Sequence, residues 1–309
     1  MTATTECDLA VIGAGMTGLS ATLHGAQRGL AVTCFESQQP CGGLVANVGA
    51  LDGWPSPAPL AGQALAAAYV EEATKSGARW VDGAVRSLRR DRDGWLLDAG
   101  NGAVRARRVI LATGARLRRL GIPGEAELEG RGVSQCVWCD GGLYRQRRVL
   151  VVGGGDAALQ GARYLARLGA EVSVAVRGPD LRARSSQVGA AADMDNIAFL
   201  WETRVNAIHG KDGLVDSVTL WSSDDGDTTL PIEGVFILAG LVPSSDLVAG
   251  LATLDATGHV IVDSDFQTNQ AGLFAAGAVR SGFLGDLACA VGEGAAAASR
   301  VARATLGGE

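Results

Sequence analysis

A chain of 309 residues, 47% apolar and 19% charged, is long enough for two domains with cores of their own and too apolar for a disordered protein. Its 27 basic and 33 acidic residues leave a net charge of −6, and without a sustained basic run there is no electrostatic footprint for nucleic acid. No basic stretch followed by an apolar one opens the chain and no window holds about 20 uninterrupted apolar residues, so neither a signal peptide nor a membrane span is expected.

In chain order, residues 8–12 (DLAVI) predict a buried strand, Gly13, Gly15 and Gly18 a tight turn, 16–28 a helix and 31–36 a second strand. That order makes a βαβ unit with parallel strands. A Pro-rich loop (54–59), a helix over 62–76 and strand-like stretches at 79–88, 94–98 and 103–106 follow, then an apolar strand running into Ala112-Thr113-Gly114. The opening pattern recurs at 148–152 (RVLVV), Gly153-Gly154-Gly155, a helix over 156–168 and a strand over 171–176. Strands near 214–221 and 230–238 lead to Phe274-Ala275-Ala276-Gly277, and an Ala-rich helix over 286–304 closes the chain. Boundaries near 116 and 243 give one domain from 1–116 and 244–309, with a second, 117–243, inserted in it.

Three constellations carry chemistry. The glycines at 13, 15 and 18 let a backbone approach a pyrophosphate at a helix N-terminus, and Glu36 at the tip of the next strand can accept from a ribose hydroxyl. With strand, helix and acid all at the right distance, a dinucleotide site is expected here. The second turn, at Gly153, Gly155, Asp156 and Ala157, has the same context, but Val176 stands where an acid would be. Arg177 beside it favours a 2′-phosphate, so a pyridine-nucleotide site and an idle copy kept as scaffold both remain open.

The third is Cys136-Val137-Trp138-Cys139-Asp140. Cysteines at this spacing can close a small disulphide, and the start of a helix lowers a thiol pKa towards the thiolate. A structural zinc would need a second pair of ligands, which Cys7, Cys34, Cys41, Cys289 and the histidines at 24, 209 and 259 do not supply; a haem attachment would need His at 140. Redox use is expected, with inert packing the rival. In a reducing cytoplasm, the expected location, six cysteines do not form a static disulphide framework. Exchange also needs a proton donor, and Asp140 is the candidate, with an N-cap role as its alternative.

Taken together these motifs resemble the low-molecular-weight thioredoxin reductases over essentially the whole chain. The likeness extends to Ala112-Thr113-Gly114-Ala115, Leu120 to Glu125, Cys136 to Gly141, and Gly272 to Gly277 with Val291-Gly292-Glu293-Gly294. It implies an α/β fold of two Rossmann-like dinucleotide-binding domains of the three-layer ββα type, the second inserted in the first. FAD would bind in the outer domain, at the first turn, Gly42-Gly43-Leu44, Ala112-Thr113-Gly114 and Gly277-Ala278. NADPH would bind in the inner one, at the second turn with Arg177 and Arg182. It further implies a homodimer that passes electrons from NAD(P)H through FAD to Cys136–Cys139 and on to a disulphide of a thioredoxin-like protein or small molecule. Cys139 would be the sulphur nearer the flavin, Cys136 the one attacking substrate, and Asp140 the acid/base.

Several positions depart from that family. Ala278 replaces the Asp that holds the ribityl chain, Gly285-Asp286 replaces Arg-Gln, Gln160 replaces a Glu, and Val176-Arg177-Gly178 replaces His-Arg-Arg. The divergence brings in a second branch, the dithiol oxidases, in which a small dithiol reduces the cysteine pair and oxygen reoxidises the flavin without NADPH.

Overall fold

The computed structural model describes residues 5–92, 94–100 and 102–307, so the outermost residues of the expected outer domain lie outside the described residues. The chain divides into two compact units, Met1–Arg116 with Val242–Glu309, and Leu117–Leu241.

In the first unit, strands Arg79–Asp82, Val32–Glu36, Thr5–Ile12, Ala103–Leu111 and Leu273–Ala275 form a parallel sheet. Helices α1 (Met16–Gln27) and α2 (Gly62–Lys75) belong to this unit, as does the C-terminal helix (Leu287–Leu306). Alternation along the strands divides the core in two. Leu9, Val11, Ile110 and Phe274 face the helices in one cluster, while Ala10, Ile12, Val109, Leu111 and Leu273 join Trp95 and Leu97 in another. Trp95 and Leu97 come from an antiparallel layer, Ser87–Asp91 and Gly94–Asp98, paired to the first half of Ala103–Leu111. The stretches expected as two strands at 103–106 and 109–111 are therefore one strand of a single seven-stranded sheet, paired along one side to Thr5–Ile12 and along the other to Gly94–Asp98 and then Leu273–Ala275. Conversely, the expected strand 79–88 is broken at Gly83, whose φ of +139° turns the chain. Arg105 bridges Asp91 and Glu6 beside the antiparallel hairpin.

The second unit repeats the three layers. Its parallel sheet runs Ile197–Leu200, Glu171–Ala175, Arg148–Val152, Gly234–Ile237, Val133–Ser134. One face packs on α4 (Asp156–Arg167), which follows the short α3 (Val137–Asp140) and precedes α5 (Ser185–Ala192). The other face packs on an antiparallel sheet, Arg204–Lys211, Leu214–Ser222 and Gly226–Pro231. The expected strand 230–238 is split between the two sheets. Arg204–Lys211 was not foreseen, because only Val205 and Ile208 of its eight residues are buried. Among the described residues no helix is long and apolar enough to cross a membrane.

The C-terminal helix, α6, crosses α1 at small residues. A Cβ at Gly294 would lie 2.2 Å from the Thr17 carbonyl oxygen, so only glycine permits the approach. Gly294→Ala is expected to cost about 3 kcal/mol by overpacking, read as a lowered midpoint in urea unfolding. Burial pushes the Cys7 thiol up to about 11 and the Cys34 thiol up to about 12. At neutral and mildly alkaline pH both stay protonated, so a thiol reagent should label neither in the native protein and both after denaturation. Mass spectrometry of the labelled chain checks this.

Candidate functional site

Where strand Thr5–Ile12 ends, the backbone must turn sharply and start α1 within four residues. Gly13 adopts a φ of +102°, and a Cβ there would sit 2.5 Å from the Ala112 carbonyl oxygen. At Gly18 a Cβ would fall 1.7 Å from the Gly13 oxygen, so helix and turn touch backbone to backbone. Gly15 differs. Nothing lies within 4 Å of a Cβ built on it, although it is the N-cap of α1 and offers no side-chain cap. The first turn of α1 also lacks an acidic residue. An uncapped helix start beside open space, with free N–H groups, fits the diphosphate of a dinucleotide.

Glu36 braces this turn. One carboxylate oxygen accepts from Ala14 N at 2.6 Å, the other from Ser37 N at 2.7 Å and Gln38 N at 2.8 Å. A carboxylate has about four acceptor positions, so capacity for a ribose hydroxyl is retained. The loop at Gly42-Gly43-Leu44 comes up to the same turn, Gly42 N donating to Ala14 O at 2.8 Å and Gly43 passing close to Gly15. Ala112-Thr113-Gly114 extends from the neighbouring strand, with the Thr113 hydroxyl donating to Ser244 O at 2.6 Å. Gly277 follows strand Leu273–Ala275 and meets the Thr17 side chain. All the expected flavin-site positions thus gather at the carboxyl ends of one parallel sheet, where open α/β sheets bind ligands.

Sequence reasoning missed the support of Gly277-Ala278. Glu293 accepts from Gly277 N at 2.8 Å and from Arg280 Nε at 2.8 Å, with Arg280 Nη2 on its other oxygen. The Gly-Glu-Gly spacing at 292–294 was visible, but nothing local pairs its acid with Arg280. Asp286 caps α6, accepting from Cys289 N at 2.7 Å.

In the second unit, Gly153 has a φ of +143° and packs on Leu238 O, while Gly155 caps α4 with open space around it. Asp156 in the first turn binds Arg184 through both backbone N and Nε. Ala157 is exposed next to it. Val176 is buried against Gly154, and Arg182 N donates to Gly154 O at 2.8 Å. Arg177 and Arg182 are exposed and, among the described residues, neither guanidinium has a partner. Two unpaired cations beside an open helix start fit an extra phosphate.

Cys136 and Cys139 form a disulphide, their Cα atoms 5.3 Å apart. The pair follows strand Val133–Ser134, so it stands on the same edge of the same sheet as the Gly153 turn. Val137 anchors the segment by packing against Gly161 of α4, and Trp138 lies on Tyr164 at 4.1 Å between ring centroids. Cys139 is exposed and Cys136 half-buried, with Cys139 N donating to Cys136 Sγ at 3.2 Å. Asp140 caps nothing with its side chain. Its carboxylate instead accepts from the Ser134 hydroxyl at 2.6 Å. The other four cysteines are free, and among the described residues no cluster of His, Cys, Asp or Glu could hold a metal ion.

Residues 7–294 match the family described as pyridine nucleotide-disulphide oxidoreductase. The thioredoxin reductase of Listeria innocua is 35% identical over 288 residues, 93% of this chain and 90% of its own; that of Bacillus subtilis is 34% identical over 295 residues, 95% and 93%. Among solved structures, the thioredoxin reductase of Lactococcus lactis in its FR conformation superposes with a TM-score of 0.92 at 31% identity, covering 97% of this chain and 99% of that one. The thioredoxin reductase of T. acidophilum gives 0.91 at 28% identity, with the same coverage. With the geometry above, these likenesses show that the chain belongs to the pyridine nucleotide-disulphide oxidoreductases, in their low-molecular-weight thioredoxin-reductase branch, and is an FAD-dependent thiol–disulphide oxidoreductase.

Proposed function

We propose that this enzyme uses NADPH to reduce the disulphide of a small thioredoxin-like protein, in the cytoplasm and as a homodimer. The observation that carries the reading is the Cys136–Cys139 disulphide on the same sheet edge as two unpaired guanidiniums, in a chain so similar to proteins named thioredoxin reductase. The unpaired Arg177 and Arg182 favour NADPH as the reductant and weigh against the oxygen-dependent dithiol oxidase.

Residues 1–116 and 244–309 form the FAD domain in this reading. Gly13, Gly15, Gly18 and Glu36 hold the adenosine diphosphate half, with Gly42, Gly43, Leu44, Ala112, Thr113, Gly114, Gly277 and Ala278 along the rest. Residues 117–243 form the NADPH domain, in which Gly153, Gly155, Asp156 and Ala157 face the diphosphate while Arg177 and Arg182 take the 2′-phosphate. Bound FAD supplies two-electron transfer between a nicotinamide and a disulphide.

The chain's own chemistry is exchange. The Cys136 thiolate attacks one sulphur of the substrate disulphide, forming a mixed disulphide, and the departing thiolate takes a proton from Asp140. Asp140, now a carboxylate, takes the proton of Cys139; the Cys139 thiolate attacks Cys136 Sγ, and the second substrate sulphur leaves and takes that proton from Asp140. The substrate gains two electrons and two protons, and the Cys136–Cys139 bond is restored.

Anaerobic NADPH should bleach the yellow flavin absorbance of the purified holoenzyme, and thioredoxin disulphide should restore it. Cys136→Ser should retain the bleaching and lose all turnover with the disulphide. A flavin that stays oxidised under NADPH yet is bleached by a small dithiol would overturn the reading. Replacing Arg177 and Arg182 together by Ala should raise KM for NADPH at least about tenfold, as expected for two lost charge-assisted contacts, and leave KM for NADH nearly unchanged. Steady-state kinetics with both nucleotides checks this.

A further inference from the structure

The proposed acid is itself held in place. Ser134 ends strand Val133–Ser134 and is 9% exposed. Its hydroxyl donates to Asp140 Oδ2 at 2.6 Å. The same oxygen accepts from Cys136 N at 3.0 Å. A hydroxyl has one hydrogen and two acceptor positions: the hydrogen goes to the near carboxyl oxygen in preference to Cys136 O at 3.4 Å, while a lone pair receives the amide. Asp140 N donates to Cys136 O at 3.1 Å and closes the turn. One buried oxygen therefore ties the backbone of the first cysteine to the carboxylate that follows the second.

An aspartate in a half-exposed turn would otherwise spread over several rotamers, and proton transfer requires one within reach of the departing sulphur. We propose that Ser134 is a positioning residue for thiol–disulphide exchange, its hydroxyl fixing, through Oδ2, the Asp140 carboxyl group from which the leaving thiolate takes its proton. The inference rests on the acid/base role given to Asp140 above.

The leaving group supplies the test. A basic alkyl thiolate needs a proton as it departs, whereas the stabilised aromatic thiolate of DTNB leaves without one. Reduced holoenzyme is mixed in single turnovers with hydroxyethyl disulphide or with DTNB, with thermal melting and bound flavin recorded for each variant. Ser134→Ala should slow the alkyl disulphide about tenfold, the worth of a hydrogen bond to a charged group, and leave DTNB unchanged. Ser134→Thr, which keeps the hydroxyl, should recover most of the lost rate. In an Asp140→Asn background, Ser134→Ala should cost less than about twofold more, because both changes remove one function. Equal slowing with both disulphides, or a full tenfold loss on top of Asp140→Asn, overturns the inference while the acid role of Asp140 stands. An Asp140→Asn variant as fast as the parent with the alkyl disulphide removes the acid role, and the inference with it.

Discussion

The fold turns on a contact that no side chain may occupy. At the first Gly-rich turn the helix start lies so near the strand end that a Cβ at Gly18 would overlap the Gly13 carbonyl, while Gly13 itself rests on Ala112. Closing that distance points the open N–H groups of α1 at the carboxyl edge of the sheet. Gly42, Ala112 and Gly277 come to the same place because each follows or abuts that edge. The second unit solves the same problem at Gly153, which packs on Leu238 in the way Gly13 packs on Ala112.

Repetition of the turn does not mean repetition of the site. In the first unit an acid, Glu36, braces the turn through three backbone N–H groups. In the second, Val176 fills the corresponding place with a methyl group against Gly154, and the charge comes from arginines outside it. The first turn is thus stiffened from within and the second left with cations at its rim. The cysteine pair adds to that second edge a function the first lacks.

What was legible in the sequence were features set by neighbours a few residues away. Gly13, Gly18 and Gly153 could be read because close backbone approach admits glycine alone, and Cys136 with Cys139 because three residues suffice to close the ring. Pairings at a distance were hidden. Nothing near Glu293 announces Arg280, and a serine at the end of a two-residue strand gives no sign of touching an acid six positions on. The polar strand Arg204–Lys211 was invisible because it buries only two side chains, and Gly83 interrupts a stretch whose composition reads as continuous.

Strand Ala103–Leu111 is finished from far along the chain, by Leu273–Ala275, and α1 is latched to α6 through the Ser20 hydroxyl on Val291 O, 271 positions later. The inner unit has no such debt, since Leu117–Leu241 is one unbroken stretch. During synthesis it can collapse as soon as it clears the ribosome, while the outer unit waits half-built, an apolar sheet edge uncovered, for the last helix to emerge. Truncation near the C-terminus therefore strikes at the part made first: a chain lacking α6 would leave the opening βαβ unit without its cover and the redox segment intact.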